Sequence, residues 1–252
     1  MKAFDPIATL ALPDSVLVNR RVPKTMLIEN GAPTAADKRR IREGIEEIRW
    51  LAVLKPTTIG VAEYRDAVRE YIEIAVLRLV LRPGAQAERL TELVHRAVPY
   101  PVLLITYRGD TPVLSLAHKR RSQSEEGKTV LDGDVVQTPI GNGCADELTT
   151  AFYNALAINR QPRTTLHALY QGWIYTVQAL CAARVTDNFS IPTSAQEATD
   201  RAAALQKYEH LKKRIAELSA AASKEKQIAR QVDMNLELQR LRNDRDAIRV
   251  KL

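Results

Sequence analysis

From Ser194 to Leu252 the chain contains neither proline nor glycine, so nothing interrupts helical hydrogen bonding and the segment reads as helix almost from end to end. Ser194 or Thr193 can cap its start, with Glu197 three residues after Ser194 as in a capping box. Ala204, Tyr208, Leu211, Ile215, Leu218 and Ala222 recur at intervals of four and three, which places them on one side of a helix. A second run, Met234, Leu238, Leu241, Ile248 and Leu252, keeps the spacing but is out of phase with the first. The break falls at Ser223 to Lys226, so the segment is either one helix with a stutter or two helices folded into a hairpin. A narrow apolar seam this long is not stable in water alone and needs something to lie against. Tyr208, Leu211, Ile215, Leu218, Met234, Leu238, Leu241 and Ile248 are therefore the expected partner-binding residues, toward another protein or a second copy of the chain.

The rest of the composition is ordinary for a folded soluble protein. At 252 residues the chain can build one sizeable core plus an appendage, or two small domains, and 45% of its residues are apolar against 27% charged. No apolar run approaches the ~20 residues a membrane span needs, and Met1 to Asp5 does not begin a signal peptide, so the expected location is the cytoplasm. Cys144 and Cys181 are isolated, which argues against a disulfide framework or a structural zinc site. The net charge of +7 is concentrated: from Arg201 to Leu252 there are 13 Lys and Arg against 7 Asp and Glu. A basic helical arm attracts polyanions such as nucleic acid, although the same cations also serve simply to solvate the outer face of a coiled coil.

Before that segment the pattern is mixed. Residues 1–33 hold short apolar pieces separated by prolines and read as a wrapping arm, with a strand at Val16 to Val18 and a helical turn or two at Thr25 to Glu29. Thr34 caps a helix with Ile41, Ile45 and Ile48 on one face, and Trp50 to Leu54 continues that face before Pro56 closes it. Glu70 to Arg82 is the strongest strand signal, followed by a helix over Ala85 to Ala97 and a strand over Tyr100 to Tyr107, an order that implies a parallel pair with a right-handed crossover. A turn at Arg108 to Asp110 leads into a hairpin strand at Val113 to His118, and a further strand covers Thr129 to Val136. Ala145 to Ile158 and Thr164 to Ala183 are helices. The expected fold is α/β (α+β): a small mixed sheet of about four strands with flanking helices over 1–140, a helical region over 141–192, and a basic coiled-coil helix or hairpin over 193–252.

Catalytic chemistry is hard to find. His95, His118, His167 and His210 are scattered among different elements, with nothing spaced like HExxH or a cysteine–histidine finger. Gly141-Asn-Gly143 lacks the lysine and the spacing of a P-loop, so no nucleotide cofactor is implied. A metal-dependent nuclease would need Glu73, Asp132 and Asp134 to converge, with Lys119 nearby, yet Asp132-Gly-Asp134 reads equally well as a turn. The basic clusters suit phosphate contacts better: Lys38, Arg39, Arg40 and Arg42; Lys119, Arg120 and Arg121; and Lys212, Lys213 and Arg214. The second of these sits where a strand runs out into a loop, so its side chains are expected to project freely.

Several pieces match a known pattern: Val18-Asn19 and Val22-Pro-Lys24, Ile48-Arg-Trp50 with Leu54-Lys-Pro-Thr57, the strand around Ile74, Ala97-Val-Pro-Tyr100, Lys224-Glu-Lys-Gln227 and Val232-Asp-Met-Asn235. On these the chain resembles the bacterial family known as domain of unknown function 4391. The resemblance implies a setting more than a mechanism: a companion of helicases and DNA methyltransferases in restriction-like or phage-defence gene clusters. It transfers no catalytic residue. Together these readings predict a non-catalytic accessory subunit that docks on such a partner, or on itself, through its helical tail. The alternatives are a DNA-binding accessory factor that grips phosphates without reading sequence, and the metal-dependent nuclease.

Overall fold

A computed structural model describes residues 6–109, 111–125, 127–141 and 147–252. The chain forms two compact units, 1–177 and 178–252. The first begins with β1 (Leu17–Arg21), α1 (Lys24–Gly31), α2 (Ala35–Gly44), β2 (Ile45–Leu54), the short α3 (Pro56–Ile59), and a small hairpin of β3 (Tyr64–Arg65) and β4 (Glu70–Tyr71). It continues with β5 (Ile74–Leu81), α4 (Ala87–Ala97), β6 (Val102–Arg108), β7 (Thr111–Leu116), β8 (Lys119–Arg121), β9 (Thr129–Leu131), β10 (Val136–Pro139) and α5 (Glu147–Leu156). Next comes α6 (Leu166–Thr186), and the second unit holds α7 (Ala195–Ala222) and α8 (Ile228–Arg249).

The architecture is a mixed α/β one with a helical C-terminal half. The main sheet runs β1-β2-β5-β6-β7-β10, six strands where about four were expected. Its one parallel pair is β5 and β6, joined through α4, and every other neighbour is antiparallel. One face of this sheet, carrying Ile45, Ile48, Ala75, Leu77, Leu79, Val102 and Leu104, packs against Leu27 of α1, Ile41 of α2 and Leu90, Leu93 and Val94 of α4. At Gly31 the close approach of α1 to α4 leaves no room for a side chain: a Cβ there would lie 2.6 Å from Ala97 Cβ. Asp37 ties α2 to α4: its carboxylate accepts from Arg89 at 3.0 and 2.8 Å and from Arg40 at 3.2 Å, and the Arg89 guanidinium holds it well below the usual carboxylate range.

Three expectations are corrected. Residues 45–54 do not continue the Thr34-capped helix; they form β2. Ile45 and Ile48 stand opposite Leu81 and Leu79 because a register shift between Ile45 and Glu47 inserts an extra residue, so a three-residue interval serves a strand face. The strand expected over Thr129 to Val136 is split at Gly133, whose φ of 87° turns the chain between β9 and β10. Glu70 to Arg82 is likewise two strands, with Glu70 and Tyr71 paired to β3 and only the stretch from Ile74 entering the main sheet. Asn142 to Asp146, and with them Cys144 and the expected helix start at Ala145, lie outside the described residues, as does Asp110 of the expected turn.

Candidate functional site

The strand-end cluster is where the structure departs most from expectation. Lys119 does not project freely: it is 2% exposed, and its ammonium donates to the carbonyls of His95 and Val98, the last turn and C-cap of α4. A cation suits that place because helix C-terminal carbonyls have no intrahelical donor and carry the negative end of the dipole. Burial draws its pKa down to about 7. Arg120 lies 3.9 Å from Asp132, and Arg121 lies 3.6 Å from Glu70. In the α2 cluster Arg40 is engaged by Asp37 and by Gln86 at 2.7 Å, while Lys38, Arg39 and Arg42 stay exposed. Lys212, Lys213 and Arg214 are exposed on α7 beside Glu209, Glu217 and Glu237 at 3.4, 4.0 and 3.3 Å.

The histidines, read from the sequence as scattered, partly converge. His118 and His167 stack with centroids 5.3 Å apart, and Tyr64 stacks on His167 at 4.7 Å. His118 Nε2 pairs with Gln171 Oε1 at 2.7 Å and its Nδ1 with the Tyr71 hydroxyl. An amide oxygen only accepts, so Nε2 carries the proton and Nδ1 accepts from Tyr71; both nitrogens are used, and neither is left for a metal or for a substrate proton. Burial pulls His118 down to about 4, and burial together with Arg69 lowers His167. Arg69 closes the cluster with two contacts to Asp132, at 2.8 and 2.6 Å. Burial drives the Tyr71 hydroxyl far above its ordinary range, which suits a donor and not a nucleophile. His118, Tyr71 and Gln171 are thus committed to one another. Of the nuclease acids, Glu73 faces Lys55 at 3.3 Å while Asp132 is held by Arg69, and among the described residues no three His, Cys, Asp or Glu side chains are grouped to hold a metal ion.

The tail is a hairpin. Ser194 accepts from the Glu197 amide at 3.1 Å to start α7, and Ser223 to Gln227 turn the chain into α8. Arg214 meets Glu237 at 3.3 Å and Gln231 reaches the Ala222 carbonyl at 3.4 Å, which fixes the antiparallel register. The two seams cover each other. Ala204, Leu211 and Ile248 are buried with Tyr208, Leu241 and Leu252 against them, Leu238 is 5% exposed, and Ile215, Leu218 and Met234 are half-buried. The expected partner-binding residues are therefore largely committed to the hairpin's own interior. What stays bare is a different row on α8: Ile228, Val232 and Leu236 are 78%, 51% and 58% exposed, and Arg240 follows at the same interval.

A family model described as a domain of unknown function (DUF4391) matches residues 10–244. The chain belongs to this family. None of the curated proteins and none of the solved structures compared with it matches. The DUF4391 match runs through both units, so the sheet and the hairpin are both part of the family's domain. Within this DUF4391 chain the bare row on α8 is written in the sequence as a step of four, alongside the longer apolar periodicity of the seam. No helix among the described residues is long and apolar enough to cross a membrane.

Proposed function

We propose that the chain is a non-catalytic accessory subunit of a bacterial anti-phage defence or restriction-like complex, docking on a helicase or DNA methyltransferase partner through its helical tail. The observation that carries this reading is the row Ile228, Val232 and Leu236 along the outer side of α8. Three large apolar side chains in one line on a helix otherwise lined with charges cost solvation in an isolated protein and are covered in a complex. Exposed Lys224 in the preceding loop and exposed Arg240 flank the row at its two ends. The matching surface is an apolar strip with acidic ends. Self-pairing is disfavoured, because a two-fold antiparallel arrangement along this row would set Lys224 of one copy beside Arg240 of the other. The class of partner is the one that the resemblance read from the sequence implies.

The test is co-purification of the full chain with the products of its neighbouring genes, with a helicase or DNA methyltransferase as the expected partner and mass measured in solution. The wild type is expected to form a complex, and the triple variant Ile228→Glu, Val232→Glu, Leu236→Glu to lose it while melting at the same temperature. An unchanged complex, or none with the wild type, would falsify the reading.

A further inference from the structure

The second face of the six-stranded sheet is closed at one end and open at the other. On β5 the residues of this face are Ile74, Val76, Arg78 and Val80; the first two are fully buried and the last two are only half-buried. Tyr107, opposite Val80 on β6, is also half-buried. Residues directly paired across strands point to the same side. Arg21 of β1 pairs with Arg49 of β2, and Arg49 pairs with Arg78 of β5. Three arginines therefore stand side by side on three adjacent strands, spanning about 10 Å at the usual strand spacing.

Very little anionic charge answers them. Glu47 reaches Arg49 at 3.2 Å, and Asn19, in a left-handed conformation at φ 46°, offers Arg49 its side-chain and backbone oxygens at 3.0 and 3.1 Å. Arg78 lies over the Tyr107 ring, 4.9 Å from its centroid, and its Nε is buried without an acceptor. Arg21 is exposed, and among the described residues no carboxylate pairs with it or with Arg78. Like charges directly across a ladder destabilise it, and a buried donor without a partner adds to that cost. A row of this kind is relieved by an anion lying along it.

The spacing says which anion. One free phosphate or carboxylate satisfies one or two guanidinium groups, whereas a line of three at strand spacing suits phosphates repeated along a chain. We propose that Arg21, Arg49 and Arg78 form a binding site for the phosphodiester backbone of a nucleic acid, with Tyr107 holding the Arg78 guanidinium flat for it. The site is independent of the docking role of the hairpin and uses none of the basic clusters marked out by the sequence. No contact to bases is involved, so binding is indifferent to sequence and sensitive to salt.

Fluorescence anisotropy of the full chain with a short labelled single strand and with its duplex tests the proposal. The wild type is expected to bind at low salt, with log affinity falling linearly in log salt. The triple variant Arg21→Gln, Arg49→Gln, Arg78→Gln is expected to lose at least tenfold in affinity and about 2 to 3 in salt slope, from roughly 0.7 to 0.9 per phosphate contact. Arg21→Gln alone, at an exposed side chain with no partner to lose, is expected to weaken binding too, and serves if the triple variant fails to fold. Lys212→Gln with Lys213→Gln and Arg214→Gln is expected to bind like the wild type. The proposal is overturned if the wild type does not bind at the lowest salt, or if the row variants bind unchanged. It is also overturned if inorganic phosphate, matched in phosphate groups, displaces the oligonucleotide, since the site would then be one for a small phosphate.

Discussion

Lys119 shows how much one side chain can do when it is read in place. Its ammonium closes the C-terminus of α4 from a strand on the other side of the chain turn, a role that depends on where two carbonyls end up and leaves no trace in the local sequence. Lys119→Met keeps the aliphatic stem but strands both carbonyls, so denaturant titration should show a loss of about 1–3 kcal/mol. Its folded pKa, drawn by burial to about 7, lies below the unfolded value of 10.5, so between these values the unfolded chain holds more protons and stability rises with pH. The amine keeps two N–H groups when neutral, enough for both carbonyls. The variant should lack this rise between pH 7 and 10. His118 acts in the acid range. With a folded pKa of about 4 against 6.5, it contributes stability that is fully present above pH 6.5 and is lost as pH falls toward 4. The loss is about 3 kcal/mol at 1.36 kcal/mol per pH unit, and His118→Gln should flatten that limb in melts recorded from pH 7 to 4. That His118 meets His167 was not legible either, because the two come from β7's end and α6, and only the fold joins them.

Among the helices and strands, what could be read was what local chemistry decides. Thr34 and Ser194 both cap where a hydroxyl precedes a helical run, each accepting from the amide three residues on at 3.1 Å. The β5, α4, β6 unit announced itself by a continuous apolar run, an amphipathic helix and a second run, and it is parallel as the crossover rule demands. What misled was β2, whose bulge gives it the four-and-three rhythm of a helix. At Gly31, where α1 meets α4, Gly31→Ala would drive a methyl group to within 2.6 Å of Ala97 and is expected to cost about 1–3 kcal/mol by thermal melting. In the hairpin, Leu238→Ala removes a buried side chain from a narrow seam and should cost about 2–4 kcal/mol, read as loss of helical circular dichroism at lower temperature.

Taken together, the two units differ in how deeply they are sealed. The first halves of β5 and β6 are buried on both faces, whereas the seam of the hairpin is a narrow one, closed on Ala204, Leu211, Leu238 and Ile248. Native-state hydrogen exchange should therefore find the slowest amides on β5 and β6, exchanging only with global unfolding, and faster ones throughout α7 and α8. Uniformly slow exchange across both would contradict this. The sequence showed the seam but not its destination, since a stripe of leucines looks the same whether its cover is the neighbouring helix or another protein. Along β2, finally, the two supernumerary residues act as phase shifters for everything hung on that strand. Deleting the one between Trp50 and Ala52 would rotate the preceding side chains by half a turn, carry Ile45 out of the core, and bring β1 to the wrong frame with its arginine facing the opposite way. The loops of this protein can lengthen and shorten; this strand has to keep its count.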